Sequence, residues 1–151
     1  MPLVLSLIVE LAAYEGLSHE VTATEARLHE VLFGTSSVAH AVVARDGDVP
    51  AGFALYFFNV STFLSMPGLY LEDLFVRPEF RKRGLGRQLL AHLAKIAVEC
   101  GCGRMEWSVL NWNEMALGVY RAIGAKPMDE WTVQRLTGEA LAALAATAAN
   151  P

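Results

Sequence analysis

No charged side chain occurs between Val49 and Leu71, a stretch long enough to force a choice between a membrane span and a buried sheet. A transmembrane helix requires about 20 predominantly apolar residues in an unbroken run. Here Pro50, Gly52, Asn59, Ser61, Ser65, Pro67 and Gly68 interrupt it. Proline removes a backbone donor, glycine adds backbone entropy, and the short polar side chains compete for backbone hydrogen bonds. The punctuation leaves two pieces rich in aromatic and aliphatic residues, 52–60 and 69–76, joined by a polar turn, which is the pattern of an antiparallel hairpin. With 54% hydrophobic and 19% charged residues, the chain has ample material for a buried core and too few charges for disorder. Its 151 residues are expected to form a single domain, 1–151, without a linker.

The second piece runs directly into Val76-Arg77-Pro78-Glu79-Phe80-Arg81-Lys82-Arg83-Gly84-Leu85-Gly86-Arg87. Beyond it Leu85, Leu89, Leu93 and Ile96 recur at helical spacing, so a helix is expected from near Leu85 with Gly84 and Gly86 at its mouth. Cations at a helix N-terminus oppose the macrodipole by about 0.3–1 kcal/mol each, so an anion is the natural complement. Backbone N–H groups uncovered by the glycines, with Arg81, Lys82, Arg83 and Arg87 around them, make a cradle for a phosphate or pyrophosphate. The plain alternative is a solvated basic turn. Arg77, Arg81, Lys82, Arg83 and Arg87 are five of the twelve Lys and Arg residues in a chain of net charge −4. So local a cluster on an acidic background fits one small anionic ligand better than nucleic acid or an anionic membrane. A P-loop would need Lys-Ser or Lys-Thr after its last glycine, and a dinucleotide fingerprint would need glycine where Leu89 stands.

Periodicity and turn signals predict helices over 3–14, 23–33, 85–99, 113–123 and 138–148 and strands over 39–45, 52–60, 69–76, 104–109 and 131–136, an α/β domain with a mixed sheet. Cys100 and Cys102 read as small core-facing residues beside Gly101, which ends a helix. The Ala-rich 140–149 reads as a packed or frayed helix.

Glu72 and Asp73 are adjacent acids in an apolar strand. Alternation sends them to opposite faces, so one enters a cleft beside the strand unless a bulge intervenes; the plainer reading is a solubilising edge charge. Further on, Asn111-Trp112-Asn113-Glu114 opens a helix with Asn111 and Glu114 at capping-box spacing. Asn113, Ala116 and Tyr120 then share one stripe. A tyrosine near pKa 10 can donate to a thiolate whose conjugate acid lies near 8.5, although spacing alone favours Tyr120 as a half-buried core aromatic.

Arg81-Lys82-Arg83-Gly84-Leu85-Gly86 fits Arg-x-x-Gly-x-Gly after an apolar strand, and with it the chain resembles the GCN5-related N-acetyltransferases (GNAT). Ala13-Tyr14-Glu15, Gly52-Phe53-Ala54-Leu55-Tyr56, Tyr70-Leu71-Glu72-Asp73 and Asn111-Trp112-Asn113-Glu114 look most like the diamine (spermidine/spermine) and thialysine branch. The resemblance covers 3–136 and is densest over 70–125. It implies a GNAT fold, α/β (α+β), with a central mixed, mostly antiparallel twisted sheet flanked by helices. The family's opening strand has no counterpart here: either it is absent or the natural start lies upstream.

The resemblance further implies acetyl-CoA as co-substrate, no metal, and direct transfer in a ternary complex to the primary amine of a diamine, polyamine or lysine-like amino acid. The loop Arg81, Lys82, Arg83, Gly84, Leu85, Gly86 and Arg87 would hold the pyrophosphate, and the backbone of Leu74, Phe75 and Val76 would pair with the pantetheine arm. Asn113, Glu114, Met115 and Ala116 would contact the coenzyme, Tyr120 would protonate the thiolate, and Glu72 would assist deprotonation. Tyr14, Glu15, Glu72, Glu106, Trp107 and Ser108 would line the acceptor pocket. The turn Ser61-Thr62-Phe63 has no acidic residue, and the acidic stretch before Trp131 is only Asp129-Glu130, which leaves the acceptor open. A homodimer is implied, and a cytoplasmic location is expected because no signal-peptide pattern opens the chain. The rival function is a CoA-binding regulatory or interaction module without catalysis.

Overall fold

The computed structural model describes residues 1–148. The chain forms two compact units, one from Met1 to Trp112 and one from Asn113 onward. In the first, α1 (Pro2–Glu15) and α2 (Glu25–Phe33) precede β1 (His40–Asp46), β2 (Val49–Ser61) and β3 (Met66–Val76), and α3 (Leu85–Glu99) connects β3 to β4 (Arg104–Trp107). The strand order is β1-β2-β3-β4, antiparallel across the first two pairs and parallel across the last. A parallel neighbour requires a crossover, and α3 supplies it. The uncharged stretch is therefore the central hairpin of a mixed, mainly antiparallel sheet. No helix among the described residues is long and apolar enough to cross a membrane.

Leu7, Leu11, Leu28 and Leu32 of the first two helices pack with Phe53, Leu55 and Phe75 of the sheet in one core. Leu74 and Val76 alternate with Phe75 and so belong to the other face; there they lie beneath Gly86 at the start of α3. The buried stripe of α3 is Leu89, Leu90, Leu93 and Ala97. Gly52 lets β2 and β3 approach, since a Cβ on it would fall 2.3 Å from the carbonyl oxygen of Phe75.

The expected end of α3 is observed: Gly101 adopts φ 68° and the Cys102 N–H reaches the Ala97 carbonyl at 2.8 Å. The core-facing reading of the cysteines needs correction. Cys100 is exposed and Cys102 only partly covered, because both lie past Ala97, the last buried position of the stripe.

The second unit contains α4 (Glu114–Ala122) and α5 (Gly138–Ala145). The strand expected over 131–136 does not form; the segment is irregular, with Trp131, Val133 and Leu136 exposed. Alternation indicates a strand only where a neighbour completes the ladder, and none pairs with this segment among the described residues. Single 3-10 turns at Ser18–Glu20 and Pro78–Phe80 were not anticipated.

Candidate active site

β2 and β3 pair in register from Ser61↔Met66 to Tyr56↔Leu71, and again from Leu55↔Asp73 to Gly52↔Val76. Glu72 has no partner between these runs, so β3 carries one extra residue, a β-bulge. This revises the alternation argument. The bulge allows both Glu72 and Asp73 to line one groove of about 500 Å³, together with Leu11 and Glu15 of α1, Glu20 in the connection that follows, and Arg27 of α2. The connection is turned into place at the end of α1, where Gly16 takes φ 74° and the Leu17 N–H bonds to the Ala12 carbonyl at 2.8 Å.

These acids are held at an electrostatic disadvantage. Burial, and then the negative charges of Glu72 and Glu15, push the Asp73 carboxyl up from 3.8 to about 6. Burial also raises the pKa of Glu15, which sits in the last turn of α1, where the helix dipole disfavours a negative charge. Among the described residues, Glu15, Glu72 and Asp73 form no ion pair. A groove built this way attracts a cation and contains a group able to accept a proton near neutral pH.

Beyond the bulge, β3 has an open edge. β4 pairs with it only from Gly68↔Arg104 to Leu71↔Trp107, so residues 72–76 have β2 on one side and no strand on the other among the described residues. This edge leads through the Pro78–Phe80 turn into the N-terminus of α3. Lys82 (φ 61°) and Gly84 (φ 81°) both adopt left-handed conformations there, and turns of this kind fold successive N–H groups into an anion-accepting concavity. Gln88 is the first residue to bond back, to the Gly84 carbonyl at 2.9 Å; the N–H groups of Leu85, Gly86 and Arg87 have no intrahelical acceptor. Gly84 needs its glycine for φ. Gly86 does not, since a Cβ there would meet Val76 Cγ2 at 3.8 Å and Leu74 Cδ2 at 3.9 Å, ordinary contacts.

Most of the basic cluster is tied to the scaffold. Arg77 donates to both carboxylate oxygens of Glu10 at 2.8 and 2.7 Å and to the Pro50 carbonyl at 2.8 Å. Arg81 donates to the Val76 carbonyl at 2.9 Å, with its guanidinium 4.3 Å from the centroid of the Tyr14 ring. Arg83 pairs with Asp46 at 2.8 Å. Lys82 and Arg87 are exposed and make no ion pair among the described residues. Of the four cations that the sequence sets around the cradle, Arg81 and Arg83 are thus tied to the scaffold and Lys82 and Arg87 are not.

The Tyr14 ring also approaches Phe75 and Trp112, at centroid distances of 6.4 and 5.9 Å, forming a platform for Arg81 next to Glu15. Glu106 of β4 pairs with Arg104 at 2.8 Å, Ser108 Oγ lies 2.9 Å from the Tyr70 hydroxyl, and Trp107 is half-buried. These three sit on or just beyond β4 and do not line the groove.

Within the second unit, Asn113 and not Asn111 is the N-cap of α4; its Oδ1 accepts the Ala116 N–H at 3.2 Å. An asparagine three residues before the donor suffices to cap, so the capping-box pairing of Asn111 with Glu114 is not used, and Glu114 reaches Arg121 instead at 3.4 Å. Met115 is exposed, while Ala116 and Tyr120 are half-buried. Sequence reasoning passed over Glu20 and Arg27, because only the turn after α1 and the start of α2 bring them to the groove.

Residues 8–125 match the acetyltransferase (GNAT) family. The chain is 37% identical over 153 residues to thialysine N-epsilon-acetyltransferase of Bos taurus, across 94% of this chain and 89% of that protein. It is 47% identical over 96 residues to L-ornithine N5-acetyltransferase NATA1 of Arabidopsis thaliana, across 64% of this chain and 42% of that protein. Among solved structures, an integron cassette protein from the mobile metagenome of V. cholerae superimposes with a TM-score of 0.75 at 32% identity, over 91% of this chain and 86% of the other. The chain therefore belongs to the GNAT family and is an acetyltransferase.

Proposed function

We propose that the protein transfers the acetyl group of acetyl-CoA directly to the primary amine of a small cationic molecule held in the groove beside the β3 bulge. The observation that carries this reading is the bulge itself. It sets Glu72 and Asp73 on the groove where the open edge of β3 begins, and that edge ends at the N–H cradle of α3. An extended pantetheine arm would pair with the backbone of Leu74, Phe75 and Val76 as an added strand. The pyrophosphate would rest on the N–H groups of 83–87, with Lys82 and Arg87 beside it. Asn113, Glu114, Met115 and Ala116 keep the coenzyme-contacting role that the resemblance implies.

In the reaction, the amine nitrogen attacks the thioester carbonyl carbon and the C–S bond breaks. The leaving thiolate takes a proton from Tyr120, and the amine gives one up to Glu72 or Asp73. An alkylamine with a reference pKa of about 10.4 arrives as ammonium, so the carboxylates first attract the cation and take one proton to free its lone pair; the second leaves the nitrogen as the amide forms and balances the proton that Tyr120 gives to the thiolate. The amino-acid acetyltransferases among the relatives support an acceptor bearing a terminal amine.

Direct transfer predicts intersecting initial-rate plots and no acetylated enzyme in mass spectra. Tyr120→Phe should lower turnover about 10–100-fold with coenzyme affinity nearly unchanged; parallel plots with a stable acetyl adduct would refute the reading. The same reading includes a homodimer, and light scattering that gives a monomer at every concentration counts against that part.

A further inference from the structure

The groove is not uniformly acidic. Arg27 lines it alongside Glu15, Glu20, Glu72 and Asp73, and Thr24 Oγ1 accepts the Arg27 backbone N–H at 3.3 Å, fixing the residue in the first turn of α2. Although it shares the groove with four carboxylates, its guanidinium forms no ion pair among the described residues. For a ligand that is only a cation, such as a diamine or polyamine, that guanidinium is repulsive. For a ligand that also carries a carboxylate, the sign reverses: a planar guanidinium pairs with a carboxylate through two parallel hydrogen bonds.

We propose that Arg27 is a specificity-determining residue that binds the α-carboxylate of a diamino-acid acceptor. The α-ammonium of that acceptor lies toward Glu15 and Glu20, and its side-chain amine is the group acetylated at Glu72 and Asp73. This inference rests on the amine-acceptor reading of the groove and narrows it. About 500 Å³ lies within the usual range for a small-molecule site. One side chain then serves both halves of selectivity, attracting the amino acid and repelling its decarboxylated analogue.

Matched acceptors test this: L-ornithine against 1,4-diaminobutane and L-lysine against 1,5-diaminopentane, with thiol release followed at saturating acetyl-CoA. The wild type is expected to favour the amino acid of each pair in kcat/KM by about tenfold, the scale of one charge-assisted contact at an open site. Arg27→Gln should raise KM for the amino acids by a similar factor, leave kcat unchanged and leave or lower KM for the diamines; Arg27→Lys should restore part of the preference. Arg27 is exposed, and thermal melts matching the wild type would confirm that the variants fold. Equal effects of Arg27→Gln on both members of each pair, or diamines used as well as amino acids by the wild type, would overturn the role of Arg27 alone. No thiol release with any of the four, by protein that still binds coenzyme A in calorimetry, would overturn the amine-acetylation reading along with it.

Discussion

Where the open edge of β3 begins, Glu15, Glu72 and Asp73 share a groove and form no ion pair among the described residues, and burial pushes the Asp73 carboxyl up to about 6; where it ends, Arg77, Arg81 and Arg83 are each bound to the scaffold. On the reading proposed above, the groove's side chains would meet the acceptor and so stay unsatisfied at some expense in stability, whereas the arginines of the loop brace the turn and would leave mostly backbone N–H groups to the ligand.

Removing a brace should cost stability and little else. Arg77→Ala leaves the Glu10 carboxylate and the Pro50 carbonyl without their donor, a loss of about 2–3 kcal/mol on the scale of charged hydrogen bonds. Denaturant midpoints would record it, with KM for acetyl-CoA within twofold of wild type. A large rise in that KM would instead give Arg77 a part in binding the coenzyme.

The groove should respond with the opposite sign. The folded pKa of Asp73, about 6, lies above its ordinary 3.8, so the folded state holds this proton more tightly than the unfolded chain. The associated stability is present in full below about pH 4 and is lost as pH rises through about 6. Asp73→Asn should therefore exceed the wild type in stability at pH 8 by up to about 3 kcal/mol, with the gap closing toward pH 4. Thermal melts across that range would check it; a constant gap would mean that the carboxylate is not the source.

Gly86→Ala separates backbone recognition from fold. Alanine fits the observed contacts and improves helix propensity by up to about 1 kcal/mol, so Tm should hold or rise. The methyl would point onto Leu74 and Val76 and leave the N–H groups open, so KM for acetyl-CoA should stay within about twofold. A rise of about tenfold or more would mean that the anion needs the space beside Gly86 itself.

How far the sequence disclosed these regions depended on the range of the interactions involved. The hairpin and the span of α3 were legible, because glycine, proline and helical spacing act within a few residues. The bulge was not, since an extra residue in β3 is defined only by its register against β2. Nor were the tethers of the basic cluster: Glu10 lies 67 positions from Arg77 and Asp46 lies 37 from Arg83, so proximity in the chain made all five cations look available to a ligand. Residues 131–136 erred the other way, with a strand-like pattern but no neighbour to pair with.

The division of labour along β3 is tested most directly by combining Glu72→Gln with Asp73→Asn and measuring both thiol release with an amine acceptor and coenzyme A affinity by calorimetry. Turnover per acceptor should fall by at least about 100-fold, the scale of lost acid–base assistance, while Kd for coenzyme A stays within about twofold. Turnover within a few-fold of wild type, or a collapse of coenzyme affinity in folded protein, would contradict the assignment of acceptor chemistry to the bulge and donor binding to the loop.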